Sequence, residues 1–268
     1  MLYLGTQKIA STNKTEGGTG KPVINREVSS QGDYGMPTQN FTFTLPSNAT
    51  DLGDYALRYA FYRCTSLTSV DLSSLTTITG EYALERSFQE CTNLTSVDLS
   101  GLVDAPRYHA MASAFADCPA LSLVDLSGLT TLSGDAFYYT FGNCTSLISI
   151  DLSSLTTVSG TNALLYAFYY CRNLTSVDIS NLAVLSGSTA LGNAFYGCTS
   201  LTTLSFPALN SSSFGSRTNQ FNKMLSGVTG CTVHFPSNLQ SVIGSWSDVT
   251  AGFGGTNTTV LWDLPATT

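Results

Sequence analysis

The sequence predicts an α/β solenoid with parallel strands on the concave side, short helices on the convex side and about nine rungs. Two observations carry this. Cys64, Cys91, Cys118, Cys144, Cys171 and Cys198 recur at intervals of 27, 27, 26, 27 and 27 residues, a period typical of stacked repeats. Around each cysteine the apolar residues keep fixed offsets, which in the first unit are Phe61, Leu67, Val70, Leu72, Leu75 and Ile78. A chain of 268 residues could hold two domains, but a uniform repeat points to one elongated domain.

Within a unit, Leu67 to Ser73 ends in strict alternation, the pattern of a short strand with one face buried. Upstream, Ala56, Leu57, Ala60, Phe61 and Cys64 fall at i, i+1, i+4, i+5 and i+8, which reads as one stripe of a helix. A unit buries about six large apolar side chains at roughly 1.5–3 kcal/mol each. Ordering its backbone costs about 1–2 kcal/mol per residue. No unit folds alone, so stability is shared between neighbours.

In chain order, residues 1–40 read as a hook around Leu2-Tyr3-Leu4 followed by a flexible linker rich in Gly, Ser, Thr and Asn. The array occupies 41–211 and opens with a degenerate strand that Pro46 closes. Helices are expected to start at Asp54, Glu81, Asp135, Thr161 and Ser188, with small polar or acidic N-caps. After Phe206 the cysteine register is lost while the strand register persists. Residues 212–268 are therefore capping turns, with Trp262 covering the last Phe. The strand anchors are Phe43, Val70, Val97, Val124, Ile150, Val177, Leu204, Val233 and Val260.

The repeated cysteine sits beside the buried Phe, where it behaves as a small hydrophobe. Stacked parallel side chains are poorly aimed for disulfides. Buried free thiols are expected.

The segments AFYRCTSLTSVDL, SFQECTNLTSVDL, AFADCPALSLVDL, TFGNCTSLISIDL, AFYYCRNLTSVDI and AFYGCTSLTTLSF share the pattern CxxLxxVxLxxLxxI. It resembles the BspA-like leucine-rich repeats of bacterial surface and phage-associated proteins. That resemblance implies a leucine-rich-repeat solenoid serving as a binding or adhesive scaffold, virion-associated or at a bacterial surface. The opening MLYLGTQKIA is similar to that of tail-associated phage structural proteins. The start lacks a basic region followed by an apolar run, so no secretory signal is expected, which on its own would suggest a cytoplasmic protein.

Composition excludes several functions. The net charge is −7 and there is no Lys between Lys21 and Lys223, so no basic stripe exists for nucleic acid. No stretch has the length of a membrane span. His109 and His234 are the two histidines, and neither joins an acid and a nucleophile in a recurring constellation. No enzyme activity is expected.

Two features rise above the repeat. The first is an aspartate after successive strand anchors, Asp71, Asp98, Asp125, Asp151 and Asp178. With strands about 4.8 Å apart these carboxylates form a ladder that supplies solubility, shares Ca²⁺ or lines a groove for a cationic or sugar ligand. The second is the set of offsets at which the units differ. These carry Tyr55, Arg58, Tyr59, Tyr62, Arg63, Tyr82, Arg86, Tyr138, Tyr139, Tyr166, Tyr169, Tyr170 and Tyr196. Read as a helix, they fall on the face opposite the buried stripe. Tyr and Arg without Lys is the composition of a binding surface, here for a protein or glycan receptor. The alternative is a structural spacer docked through its N-terminal segment.

Overall fold

The structure is a computed structural model that describes residues 3–4, 7–8, 40–214 and 219–267. The proposed N-terminal hook and linker therefore lie outside the described residues, apart from Asn40 and two short strands. Those are β1 (Tyr3–Leu4) and β2 (Gln7–Lys8), which pair antiparallel. The coil follows as β3 (Phe41–Thr44), β4 (Leu67–Asp71), β5 (Ser96–Asp98), β6 (Leu123–Asp125), β7 (Thr131–Leu132), β8 (Ser149–Asp151) and β9 (Thr157–Val158). It continues through β10 (Ser176–Asp178), β11 (Val184–Leu185), β12 (Thr203–Ser205), β13 (Thr232–Pro236) and β14 (Thr259–Leu264). Between the last two strands lie α1 (Gln240–Ile243) and α2 (Ser247–Thr250).

Strands one period apart stack in parallel and in the anticipated register. Phe43 pairs with Val70, Val70 with Val97 and Val97 with Val124. Ile150 pairs with Val177, Leu204 with Val233 and Val233 with Val260. Hydrogen bonding divides this face into three sheets, β3-β4-β5-β6, β8-β10 and β12-β13-β14. A second file of parallel pairs runs down the adjoining face through Asp51, Thr77, Asp104 and Thr131, then through β9 and β11. The strands enclose about eight turns rather than nine rungs, because nine anchor strands bound only eight circuits of chain.

The convex side differs from the expected helices. Among the described residues the repeats carry no α-helix there, and the only α-helices are the two single turns in the C-terminal cap. Instead the chain makes successive four-residue turns. The amides of Arg58, Ala60, Tyr62 and Cys64 donate to the carbonyls three residues back. The alternate amides of Tyr55, Leu57, Tyr59, Phe61 and Arg63 donate to Glu81, Ala83, Glu85, Ser87 and Gln89 on the next rung. A helix would spend every amide internally. Here half of them bond between rungs, so the convex side adds to the cohesion of the stack. The apolar pairs recur every four residues, and over nine residues that period cannot be told from 3.6. The expected N-caps change role for the same reason: Asp54 and Asp135 accept the amides of Glu81 and Asn162 on the following rung, each at 2.9 Å.

The core is a set of columns. Phe61, Phe88, Phe115, Phe141, Phe168 and Phe195 stack with centroids 5.1–5.7 Å apart and planes within 7° of parallel. All seven cysteines are buried free thiols. Five of the six repeat thiols share one kind of partner: Cys91, Cys118, Cys144, Cys171 and Cys198 donate to the Phe carbonyl of the preceding rung at 3.1–3.2 Å. The position therefore needs a small apolar group that also carries a donor. At the C-terminal end Trp262 stacks on Phe235 at 5.4 Å.

Where rungs meet at the start of the turn ladder, no side chain fits. A Cβ on Gly160 would stand 2.1 Å from the Gly134 carbonyl oxygen. Gly160→Ala is therefore expected to cost about 1–3 kcal/mol through forced separation of two rungs, measured as a fall in urea midpoint. An unchanged midpoint would mean the column opens freely.

Candidate recognition surface

The thirteen tyrosine and arginine positions singled out from the sequence lie along the turn ladder, and all are half-buried or exposed. In each four-residue turn two consecutive residues point into the core, as Ala56-Leu57 and Ala60-Phe61 do, and the next two face outward. The exposure pattern read from the sequence holds, although the element beneath it is not a helix.

Stacking on adjacent rungs joins the rings into one file. Tyr55 stacks on Tyr82 at 5.4 Å, and Tyr82 meets His109 edge-on at 5.8 Å. His109 stacks on Tyr138 at 5.3 Å, and Tyr138 meets Tyr166 at 6.1 Å. Tyr166 meets Tyr169, which stacks on Tyr196 at 5.0 Å. Tyr139 and Tyr170 flank Tyr169 at 5.5 and 4.5 Å. Glycines seat these rings: a Cβ at Gly142 would meet the Tyr139 ring at 2.6 Å, and one at Gly197 the Tyr170 ring at 2.5 Å.

Arginines pin the file at one end. The Arg58 guanidinium lies 5.2–5.5 Å from the ring centres of Tyr55, Tyr59 and Tyr82, and its Nε donates to Glu85 at 2.6 Å. Arg63 lies over Tyr62 and donates to Glu90 at 2.8 Å. The Tyr62 hydroxyl donates to the same carboxylate at 2.8 Å. Hydrogen bonding from Arg63 holds the Glu90 carboxyl below its usual range. Arg86 lies over the Tyr59 ring. Burial pushes the Tyr139 phenol up to about 12, and its neutral hydroxyl accepts the Asn143 amide at 2.8 Å.

Sequence reasoning missed three members. Tyr108, 48% exposed, stacks on His109 at 3.9 Å, and Arg172 lies over Tyr170 at 5.0 Å. His109, which joins no catalytic constellation in the sequence, is the link that carries the file across the one unit without tyrosine at the variable offsets. Burial lowers its pKa. A signal for Tyr108 and Arg172 was present. Tyr108 and Arg172 stand where the other units carry small or polar residues, and departure from the repeat marks them.

The turn ladder holds eight of the thirteen in left-handed backbone. Tyr55, Tyr59, Arg63, Tyr82, Arg86, Tyr139, Tyr166 and Tyr170 all have φ of 53–60°. This left-handed conformation costs a side-chain-bearing residue about 1–2 kcal/mol and is easiest for Gly and Asn. The equivalent turn positions elsewhere carry Asn143, Asn193 and Gly197, and also Glu90, His109, Ser113 and Asp117.

On the strand face the five aspartates align as expected, with Asp71 beside Asp98, Asp98 beside Asp125, and Asp151 beside Asp178. Each has a local task. Its Oδ1 accepts the amide two residues on, from Ser73, Ser100, Ser127, Ser153 and Ser180 at 2.9–3.0 Å, the Asx-turn that ends a strand. Hydrogen bonds from Ser153 lower the Asp151 pKa. In-line carboxylates do not converge, and among the described residues no group of three or more His, Cys, Asp or Glu could hold a metal ion. Asp71, Asp98, Asp125, Asp151 and Asp178, the positions where calcium was expected, thus each close their own turn.

No helix among the described residues is long and apolar enough to cross a membrane. No curated protein sequence matches the chain. Among solved structures it is similar to a leucine-rich repeat protein from Bacteroides ovatus, at 19% identity over 82% of this chain and 69% of that one, with a TM-score of 0.33. It is also similar to InlP of Listeria monocytogenes, at 19% identity over 70% of this chain and TM-score 0.33. A third likeness is to an internalin from the same organism, at 16% identity over 75% of this chain and TM-score 0.28. The chain spans 56% of the length of each Listeria protein. The sequence pattern of the BspA type leucine rich repeat region matches in six copies, over residues 36–140, 58–182 and 111–243. With its stacked strands, Phe column and repeated thiols, the chain belongs to the BspA-type leucine-rich repeat family.

Proposed function

We propose that this protein is a non-enzymatic recognition module whose convex file of tyrosines and arginines binds a protein receptor at a bacterial cell or particle surface. Family membership supports an interaction role in general. The observation that carries the specific reading is the placement of bulky side chains at left-handed turn positions. Asn or Gly would suit the backbone better there, and other rungs use Asn143, Asn193 and Gly197 at such positions beside Glu90, Ser113 and Asp117. Tyrosines kept against local preference fit the rule that strained residues cluster at functional sites.

The ring geometry favours protein over glycan. Sugars stack on open ring faces, but Tyr55 and Tyr82 lie within 7° of parallel and turn their faces to each other. That pair presents ring edges and hydroxyls, suited to polypeptide amides and carbonyls. Rings already held by their neighbours lose little rotamer freedom on binding.

The test pairs two measurements on Tyr166→Asn/Tyr170→Asn. Melting temperature should hold or rise, because Asn relieves the left-handed strain. Receptor or cell-surface binding should fall at least tenfold, about 1.4 kcal/mol. A melting temperature lowered by several degrees would make these tyrosines packing residues, and binding that survives the change would leave the convex face as a spacer.

A further inference from the structure

The strand face holds a second departure from the repeat, remote from the tyrosine file. At the offset before the anchor the units carry Ser69, Ser96, Ser149 and Ser176, but the third carries Leu123, 63% exposed. At the preceding offset they carry Thr68, Thr95, Ser122 and Thr175, but the fourth carries Ile148, 60% exposed. Both are large apolar groups, on neighbouring rungs of an otherwise hydroxyl-lined face.

Beside them the sheet opens. β10 pairs with β8 but not with β12, and Val177 is only half-buried where the other interior anchors are buried. The opening forms a groove of about 440 Å³ lined by Ile150, Asp151, Val177, Asp178, Ser205 and Pro207, among others. That is within the size range of ligand sites. Its floor is apolar and its rim carries two adjacent carboxylates whose Oδ1 atoms are held by the Ser153 and Ser180 amides. None of the described strands β3 to β14 contains a Lys or Arg.

We propose that the centre of the strand face docks an extended polypeptide carrying an apolar residue followed two positions later by Lys or Arg. The apolar side chain lies on Leu123 and Ile148. The basic one lays its aliphatic stem over Val177 and its charged head against Asp151 and Asp178. Charge complementarity fixes the occupant, because two ionised carboxylates side by side repel and a cation between them removes that repulsion. Spacing agrees. From the Ile148 rung to the groove is about one and a half strand separations, roughly 7 Å, and two residues of extended chain span about 6.6 Å.

The probe is the peptide acetyl-Gly-Leu-Ser-Lys-Gly-amide, titrated into the full-length protein and followed by amide chemical shifts. Saturable shifts are expected at Ile148, Val177, Asp178 and Ser205. Asp178→Asn keeps the oxygen that accepts the Ser180 amide, and Leu123→Ser/Ile148→Thr installs the repeat's own residues, so both variants retain the fold. Each should weaken binding at least tenfold, while Asp71→Asn at the far end of the ladder should change it less than twofold. Equal loss in Asp71→Asn would reduce the effect to diffuse charge and overturn the site. So would equal binding of the peptide with Glu in place of Lys, or the absence of saturable shifts. Binding lost in Tyr166→Asn/Tyr170→Asn but kept in Asp178→Asn would move the peptide to the convex face.

Discussion

Raising the pH from 9 to 11 is expected to unfold the solenoid, and the cysteine column is the reason. Burial pushes the Cys118 and Cys171 thiols up to about 12 and Cys231 up to about 11, and drives Cys91, Cys144 and Cys198 upward as well. In the unfolded chain the same thiols ionise near 9. Below pH 9 both states keep these thiol protons, and the cysteines add no pH dependence to stability. Above it the unfolded chain releases protons that the native stack retains, so stability falls until the folded pKa is reached. Each thiol contributes about 1.4 kcal/mol per pH unit. Several acting together exceed the roughly 5–15 kcal/mol that holds a typical domain within two units. Burial raises the Tyr139 phenol in the same direction. Circular dichroism against pH checks this, and Cys118→Ala should flatten the slope by one proton's share. A protein equally stable at pH 8 and 11 would show that the thiols ionise in place. Alkylation at pH 8 should likewise label the thiols only after denaturation.

Phe141→Ala is expected to cost about 3–5 kcal/mol, the usual range for emptying a phenylalanine site in a packed core. Phe141 is fully buried between Phe115 and Phe168, each 5.7 Å away, with Phe137 edge-on at 6.0 Å. Its carbonyl also accepts the Cys171 thiol. The rungs are pinned above and below by strand pairing and the turn ladder, so the cavity cannot close by collapse of one rung. Because each rung touches only its neighbours, the loss divides the array at its centre. The urea transition should broaden or split, with the two halves reporting separately. A small shift with one sharp transition would mean the column carries little of the stability.

The sequence alone determined whatever the repeat makes periodic. The anchors from Phe43 to Val260 could be placed in register because a strand stacked on its own copy must align like with like, and any slip would turn Val70 or Val97 out to water. Burial of the thiols and exposure of Tyr55, Tyr166 and their equivalents were legible for the same reason, since both depend on which offsets tolerate change. Tertiary structure decided the convex side. The apolar stripe at Ala56, Ala60 and Cys64 fits a helix and a four-residue turn equally. Only the neighbouring rung, whose carbonyls take every second amide, selects the turn and forces Tyr59 and Arg86 into left-handed backbone. Tertiary structure also assigned the aspartates to their own turns and opened the sheet between β10 and β12. Those outcomes depend on which groups meet across rungs, and no single unit of the repeat encodes that.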